Sequence, residues 1–213
     1  VHACKNYGVT AHGVTTSQER ADFAREWIQR EGLEDQAGVA VCDYRDLVGS
    51  TRYDRISAIG VIEGVGPRGL ADHFRAVHRL LKDNGLFLSH GIARAREWRP
   101  GGPLGEPLLP REGLPPLSTV VTQLEDQHFE VREAENLRDH YARSLAACLE
   151  RLQSRRADCL RHLDERTYRS WLLYLGLSSI DFEEGQTFLF QLLAGKRRNQ
   201  AAPNPLQPET GNG

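Results

Sequence analysis

The hydrophobic positions of the chain switch between two periods, and the switches mark its elements. VHACKNYG reads as helix turns stopped by Gly8, after which Val9 to Val14 alternates as a short strand. Thr15, Thr16 and Ser17 follow as a polar strand end. Ser17 is placed to cap the helix QERADFAREWIQ, whose Ala21, Ala24, Trp27 and Ile28 recur at spacings of three and four. Gly32 ends that helix, Val39 to Cys42 is the next strand, and Asp43 and Tyr44 leave its tip. From Tyr53 the chain alternates and then runs apolar through Ile56, Ala58, Ile59, Val61 and Ile62, the pattern of a parallel strand covered on both faces. Glu63 stands at its end, before Gly64, Gly66 and Pro67.

Leu70, Phe74, Val77 and Leu81 predict a helix, Asp83, Asn84 and Gly85 a turn, and Leu86 to His90 a strand that again ends on an ionisable residue. Between Ala93 and Pro116 prolines and glycines dissolve the pattern into a segment of the length of a lid or substrate loop. Leu117 to Leu124 then predicts a helix and Phe129 to Arg132 a short strand. Two long helices, Leu137 to Leu163 and Glu165 to Phe182, and a closing strand, Phe188 to Leu193, complete the order, which is doubly wound α/β. In open sheets of that kind ligands bind beyond the carboxyl ends of the strands, so Glu63 and His90 form a convergent pair of candidate site residues.

Composition adds boundaries. With 213 residues and 39% hydrophobic positions the chain can bury one good core, so one domain over residues 1–196 is expected. Residues 197–213, with NQAAPNPLQPETGNG, are too polar to pack and read as a disordered tail. A net charge of −2 supplies no basic field for nucleic acid. Cys4, Cys42, Cys148 and Cys159 form no CxxC pair and no secretory leader precedes them, from which a reduced cytoplasmic compartment is expected. No apolar run approaches the roughly 20 residues that span a bilayer, so any membrane contact is expected to be peripheral. His73 and His78 lie five apart and share no helix face well, so no metal site is expected there. Arg143, Arg151, Arg155, Arg156, Arg161, Arg166 and Arg169 mix with acids and read as solvated helix faces, with a phospholipid-facing role for some as the alternative. The chain opens at Val1 on a helix and contains no methionine, which gives the expectation that its beginning is missing.

Seven blocks in order, GVTTSQER, CDYRDL, YDRISAIGVIEGVG, LLKDNGLFLSHGI, GLPPL, FEVREAENLRDHYARSL and YRSWLLYLG, resemble the cyclopropane-fatty-acyl-phospholipid synthase family. That family includes mycolic acid cyclopropane synthases and related fatty-acid methyltransferases. The resemblance covers nearly the whole chain to Lys196. It implies a Rossmann-like class I methyltransferase sheet with helices on both faces, lacking the family's first strand and glycine-rich turn, plus a C-terminal helical cap. It also implies S-adenosylmethionine as cofactor and methyl transfer to the cis double bond of an unsaturated phospholipid acyl chain. By the same resemblance, the carbocation so formed would lose a proton to a bound bicarbonate.

By resemblance Glu63, His90 and Tyr141 match the positions that hold or orient that ion. Thr15, Thr16, Ser17 and Arg20 match the block facing the ribose and methionine portion of the cofactor, and Asp43 and Tyr44 match the pair that brackets its adenine. The chain departs from the family where Gly64 replaces a histidine after Glu63, where Pro110, Arg111 and Glu112 replace proline-glycine-glycine, and where Ser178 replaces a cysteine. Two other readings stand beside this one: methyl transfer to another nucleophile such as an amine, and a non-catalytic remnant that docks through its C-terminal helices.

Overall fold

A computed structural model describes residues 1–47, 53–96 and 113–197. The chain divides into two compact units, Val1–Thr51 and Arg52–Gly213. The first holds α1 (His2–Tyr7), β1 (Ala11–Thr15), α2 (Gln18–Arg30), β2 (Ala37–Val41) and a single 3-10 turn, Tyr44–Asp46. Gly8 stops α1 in the left-handed region at φ 61°, its N–H returning to the carbonyl of Cys4. Ser17 caps α2 as expected, its hydroxyl accepting from the N–H of Arg20 at 3.3 Å. β1 and β2 run parallel in register from Ala11↔Ala37 to Thr15↔Val41. Cys4, Ile28, Leu33 and Ala37 form the core of this unit. Trp27, expected on the apolar face of α2, is 45% exposed.

The second unit holds β3 (Tyr53–Ile59), α3 (Ile62–Leu80), β4 (Leu81–Arg94), α4 (Leu117–Asp126), β5 (Phe129–Asn136), α5 (Arg138–Ser154), α6 (Arg156–Cys159), α7 (Glu165–Glu183) and β6 (Thr187–Lys196). Its sheet has the order β3-β4-β6-β5, parallel between β3 and β4 and antiparallel on both sides of β6. Alternation along β4 and β6 sorts the side chains into two layers. Phe87, Ala93, Phe190, Leu192 and Ala194 join Leu70, Phe74 and Val77 of α3 and Val120 and Leu124 of α4. Leu189, with Ile92 against it, instead joins Ala142 and Leu145 of α5 and Leu175 and Phe182 of α7. Helices therefore cover both faces, and the last strand in sequence occupies an inner position of the sheet.

Four expectations are corrected. β3 ends at Ile59, where Gly60 turns the chain at φ 64°, so Val61 and Ile62 leave the strand and Glu63 lies in the first turn of α3. That helix is two pieces joined at Gly66 (φ 67°, ψ 170°), with Pro67 opening the second. β3 is also an edge strand rather than a covered one: Ala58 is buried, but Ile59 is 66% exposed. β4 runs on to Arg94 because β6 pairs with it as far as Arg94↔Thr187, which leaves His90 inside the strand and not at its tip. The helix predicted over Leu137 to Leu163 breaks at Arg155 into α5 and α6. Lys196 closes β6, its ammonium donating to the carbonyls of His78 and Leu81, and Arg197 donates from its backbone to His128. Residues 198–213 of the expected tail, and most of the loop expected over 93–116, lie outside the described residues.

His73 points into the core, its ring edge-on to Phe87 at 6.2 Å and tilted on Phe74 at 5.1 Å. Burial pushes its imidazole down to about 4. An unfolded chain takes up this proton near 6.5 while the folded one resists until about 4, so stability falls as pH drops through that interval. The slope from this residue is about 1.4 kcal/mol per pH unit. Urea titrations between pH 7 and pH 4 should show a shallower loss in His73→Leu than in the parent, and parallel curves would remove His73 from the account.

Candidate functional site

The two units carry separate halves of the expected site. In the first, β1 and β2 end level with one another, and Cys42 donates its N–H to the carbonyl of Thr15 at 3.0 Å. Thr15 Oγ1 accepts the N–H of Ser17, and Thr16 lies between them at the carboxyl edge. Arg20, in the first turn of α2, gives its N–H to Ser17. Asp43 opens the following turn and is gripped by Arg45, whose backbone N–H and Nε reach one carboxyl oxygen at 2.9 Å each while a guanidinium nitrogen reaches the other at 2.5 Å. The side-chain hydrogen bond from Arg45 holds the Asp43 carboxyl down at about 2, well below the usual carboxylate range. Thr15, Thr16, Ser17, Arg20, Asp43 and Tyr44 thus share one strand edge. A ligand using Asp43 as an acceptor must share it with Arg45.

In the second unit the end of β3 creates the site. Its ladder to β4 finishes at Ile59↔His90, and Gly60 adds a last bond from its N–H to the carbonyl of His90 at 2.9 Å. β4 continues, leaving the next N–H on that edge, that of Ile92, without a strand beside it. Glu63 takes the place of the missing strand carbonyl: its Oε1 accepts from Ile92 N at 2.8 Å. The first turn of α3 lies against the strand because residue 91 is glycine. A Cβ there would meet Ile62 Cγ1 at 2.5 Å and Glu63 Oε1 at 3.4 Å.

One oxygen of Glu63 remains. Oε2 is buried with no hydrogen-bond partner, a state costing about 1–3 kcal/mol for an ordinary acceptor. Tyr141 on α5 lies within its field. Burial first, then the neighbouring Tyr174 and Glu63, push the Tyr141 phenol above its usual 10, so it keeps its proton at neutral pH and can donate. Its ring packs on Phe182 at 4.8 Å. His90, half-buried, shares the strand face of Ile92, the face on which α5 and α7 pack.

Three participants were not singled out from sequence: Gly91, whose lack of a side chain seats the helix turn; the backbone N–H of Ile92; and Tyr174, whose ring stands edge-on to Trp171 at 5.5 Å. An isolated glycine inside a strand pattern was the available signal for the first. For Tyr174 there was only the three-residue spacing from Trp171. Ser178, the departure on α7, is buried, while Pro110, Arg111 and Glu112 lie outside the described residues.

A family model described as mycolic acid cyclopropane synthetase matches residues 1–192. A probable fatty acid methyltransferase of Pseudomonas putida is 32% identical over 200 residues, 91% of this chain and 51% of the relative. The cyclopropane-fatty-acyl-phospholipid synthase of Escherichia coli K12 is 29% identical over 192 residues, 90% of this chain and 49% of the relative. The chain therefore spans about half the length of these curated relatives. Among solved structures, the cyclopropane synthase MmaA2 of Mycobacterium tuberculosis superposes with a TM-score of 0.82 at 23% identity, over 91% of this chain and 72% of that one. The mycolic acid cyclopropane synthase CmaA1, in complex with SAH and CTAB, gives 0.81 at 22% identity, over 92% and 73%. Both show the class I methyltransferase fold.

Gly91→Ala tests the seating of Glu63. Ile62, fully buried, cannot yield to a new methyl, so the variant should lose about 1–3 kcal/mol in denaturant unfolding. An amide spectrum should show the Ile92 N–H displaced. A variant as stable as the parent with an unmoved Ile92 resonance would mean that the turn is not held by this contact.

Proposed function

The chain belongs to the mycolic acid cyclopropane synthetase family, and on that premise we propose that it forms the catalytic part of an S-adenosylmethionine-dependent methyltransferase acting on the cis double bond of an unsaturated phospholipid acyl chain. The observation that carries this reading is the buried, unpartnered Oε2 of Glu63, whose charge is felt at the Tyr141 phenol. When bound, S-adenosylmethionine supplies an electrophilic methyl group to the alkene. The residues proposed to hold it are Thr15, Thr16, Ser17, Arg20, Asp43 and Tyr44, with Asp43 accepting from the adenine amine and Tyr44 stacking. The shared edge of β1 and β2 supports that grouping.

An alkene is a weak nucleophile, so the donor and the double bond must be held close in a site that excludes water. After transfer the carbocation on the chain closes to a ring only if the added methyl group gives up a proton. Glu63, His90 and Tyr141 are proposed to position the base that takes it, bicarbonate by family resemblance. Glu63 Oε2 fits such an ion as an acceptor for its O–H, and Tyr141 fits as a donor to its oxygens. Ile92 N–H fixes the other Glu63 oxygen, so the carboxyl group has one orientation in which to do this. Ile92, Leu137, Tyr141 and Tyr174 are partly buried against the α5–α7 core, an apolar surrounding compatible with an acyl chain. The mycolic acid cyclopropane synthase CmaA1, similar in fold, is in complex with SAH and CTAB.

Glu63→Gln keeps the shape and alters the acceptor. Product formed from an unsaturated phospholipid should fall roughly 100-fold or more. Calorimetric affinity for S-adenosylmethionine should stay within about twofold, because Glu63 is not among the residues proposed to hold the cofactor. Undiminished product would end the assignment of Glu63, and failure of the parent chain to bind S-adenosylmethionine would end the proposed cofactor role.

A further inference from the structure

One rung of the second unit's sheet is polar from β4 to β5. His90 stands directly opposite Gln191, and Gln191 directly opposite Glu135. Residues paired in this way project to the same side of a sheet. The three side chains therefore form a row on the face of Ile92 and Leu189, against which α5 and α7 pack. The rungs before and after it on the two inner strands are apolar, Leu88 opposite Leu193 and Ile92 opposite Leu189. From Phe188 to Ala194 Gln191 is the one polar residue of β6. A leucine would pack at this half-buried position without further demands, whereas an amide needs partners. One partner is Glu135, whose Oε2 accepts from the Gln191 amide nitrogen at 3.5 Å. The carboxylate decides which end of the amide turns toward β5, because its oxygens can only accept. The amide oxygen and the His90 ring have no hydrogen-bond partner among the described residues. Cβ atoms of such cross-strand pairs stand about 5 Å apart, within reach of a glutamine amide.

We infer that Gln191 is a positioning residue for His90. Its amide nitrogen is held by Glu135, and its carbonyl oxygen is presented to the imidazole. A carbonyl cannot donate, so the ring nitrogen that meets it carries the proton and the other nitrogen keeps its lone pair. Glu135, on the far strand, thereby sets the tautomer of a histidine it does not touch. The inference deepens the reading of His90 as part of the base site and rests on it. With its tautomer fixed, His90 offers the site an acceptor every time, where a ring free to exchange would do so only part of the time.

A proton-nitrogen correlation spectrum of the imidazoles, taken on the intact chain in alkaline solution, reads the tautomer of His90 directly. The parent should show one tautomer in excess. Gln191→Leu removes the carbonyl and brings in a residue that β6 already uses on this face, so the tautomer ratio should change at least about fivefold while the unfolding midpoint does not fall. Glu135→Gln, at an exposed position two strands from His90, should move the ratio in the same direction, because an amide there no longer dictates which end of Gln191 faces it. If Gln191 served packing alone, a change at Glu135 would not reach His90. An unchanged ratio in either variant overturns the proposal, and so does a parent with both tautomers equally populated. Turnover of an unsaturated phospholipid separates this inference from the reading beneath it. A shifted ratio with product lowered roughly tenfold in Gln191→Leu upholds both. A shifted ratio with undiminished product, or in a parent without turnover, ends the base-site reading alone, and turnover with an unchanged ratio ends the positioning role alone.

Discussion

Residue 91 has room for a hydrogen and nothing more. Ile62 fills the space where a side chain would stand, and the helix turn that carries Ile62 also carries Glu63. One steric fact therefore ties the sheet to the site: with no Cβ on β4, α3 can begin close enough for a carboxylate to complete a strand edge. The kink at Gly66 follows from the same demand, because the turn that holds Glu63 and the long piece that buries Leu70, Phe74 and Val77 must point in different directions. The chain spends two glycines and a proline on this corner.

Buried polar groups in the second unit meet three different fates, and the differences separate structure from chemistry. His73 packs on Phe74 and Phe87, and burial holds its imidazole neutral down to about 4. Lys196 threads its ammonium onto two carbonyls and is satisfied. Glu63 is half satisfied, one oxygen bound and one buried without a partner. Glu63 differs from the other two in joining one hydrogen-bonded carboxyl oxygen to one that is buried and unpartnered, an acceptor left for a ligand to meet.

Most elements were legible because their cause is local: Gly8 and Ser17 act on their neighbours, and the spacing of Leu70, Phe74 and Val77 sets a helix face by itself. The errors arose where a distant strand decides the outcome. An apolar run through Ile62 looked like strand, but Gly60 at positive φ ended it and Ile59 stays exposed. His90 looked terminal because hydrophobic alternation fades there, yet pairing with β6, a hundred residues later, carries β4 to Arg94. The candidate residues Glu63, His90 and Tyr141 were readable as a family pattern. The role of Ile92 was not, since a backbone N–H leaves no mark in a sequence.

The position of β6 has a consequence for how the molecule comes into being. Thr187–Lys196 arrives after every other strand of its sheet, yet it lies between β4 and β5 and pairs with both. During synthesis β3 and β4 can meet early, while β5 has no strand to join until Thr187–Lys196 emerges. Until then β4 offers an open apolar edge, Phe87 through Ala93, to any extended chain nearby. Pairings of such long sequence separation form slowly. Between the synthesis of β4 and that of β6 the sheet is thus incomplete, and a strand edge that the finished fold covers stands open to misassociation.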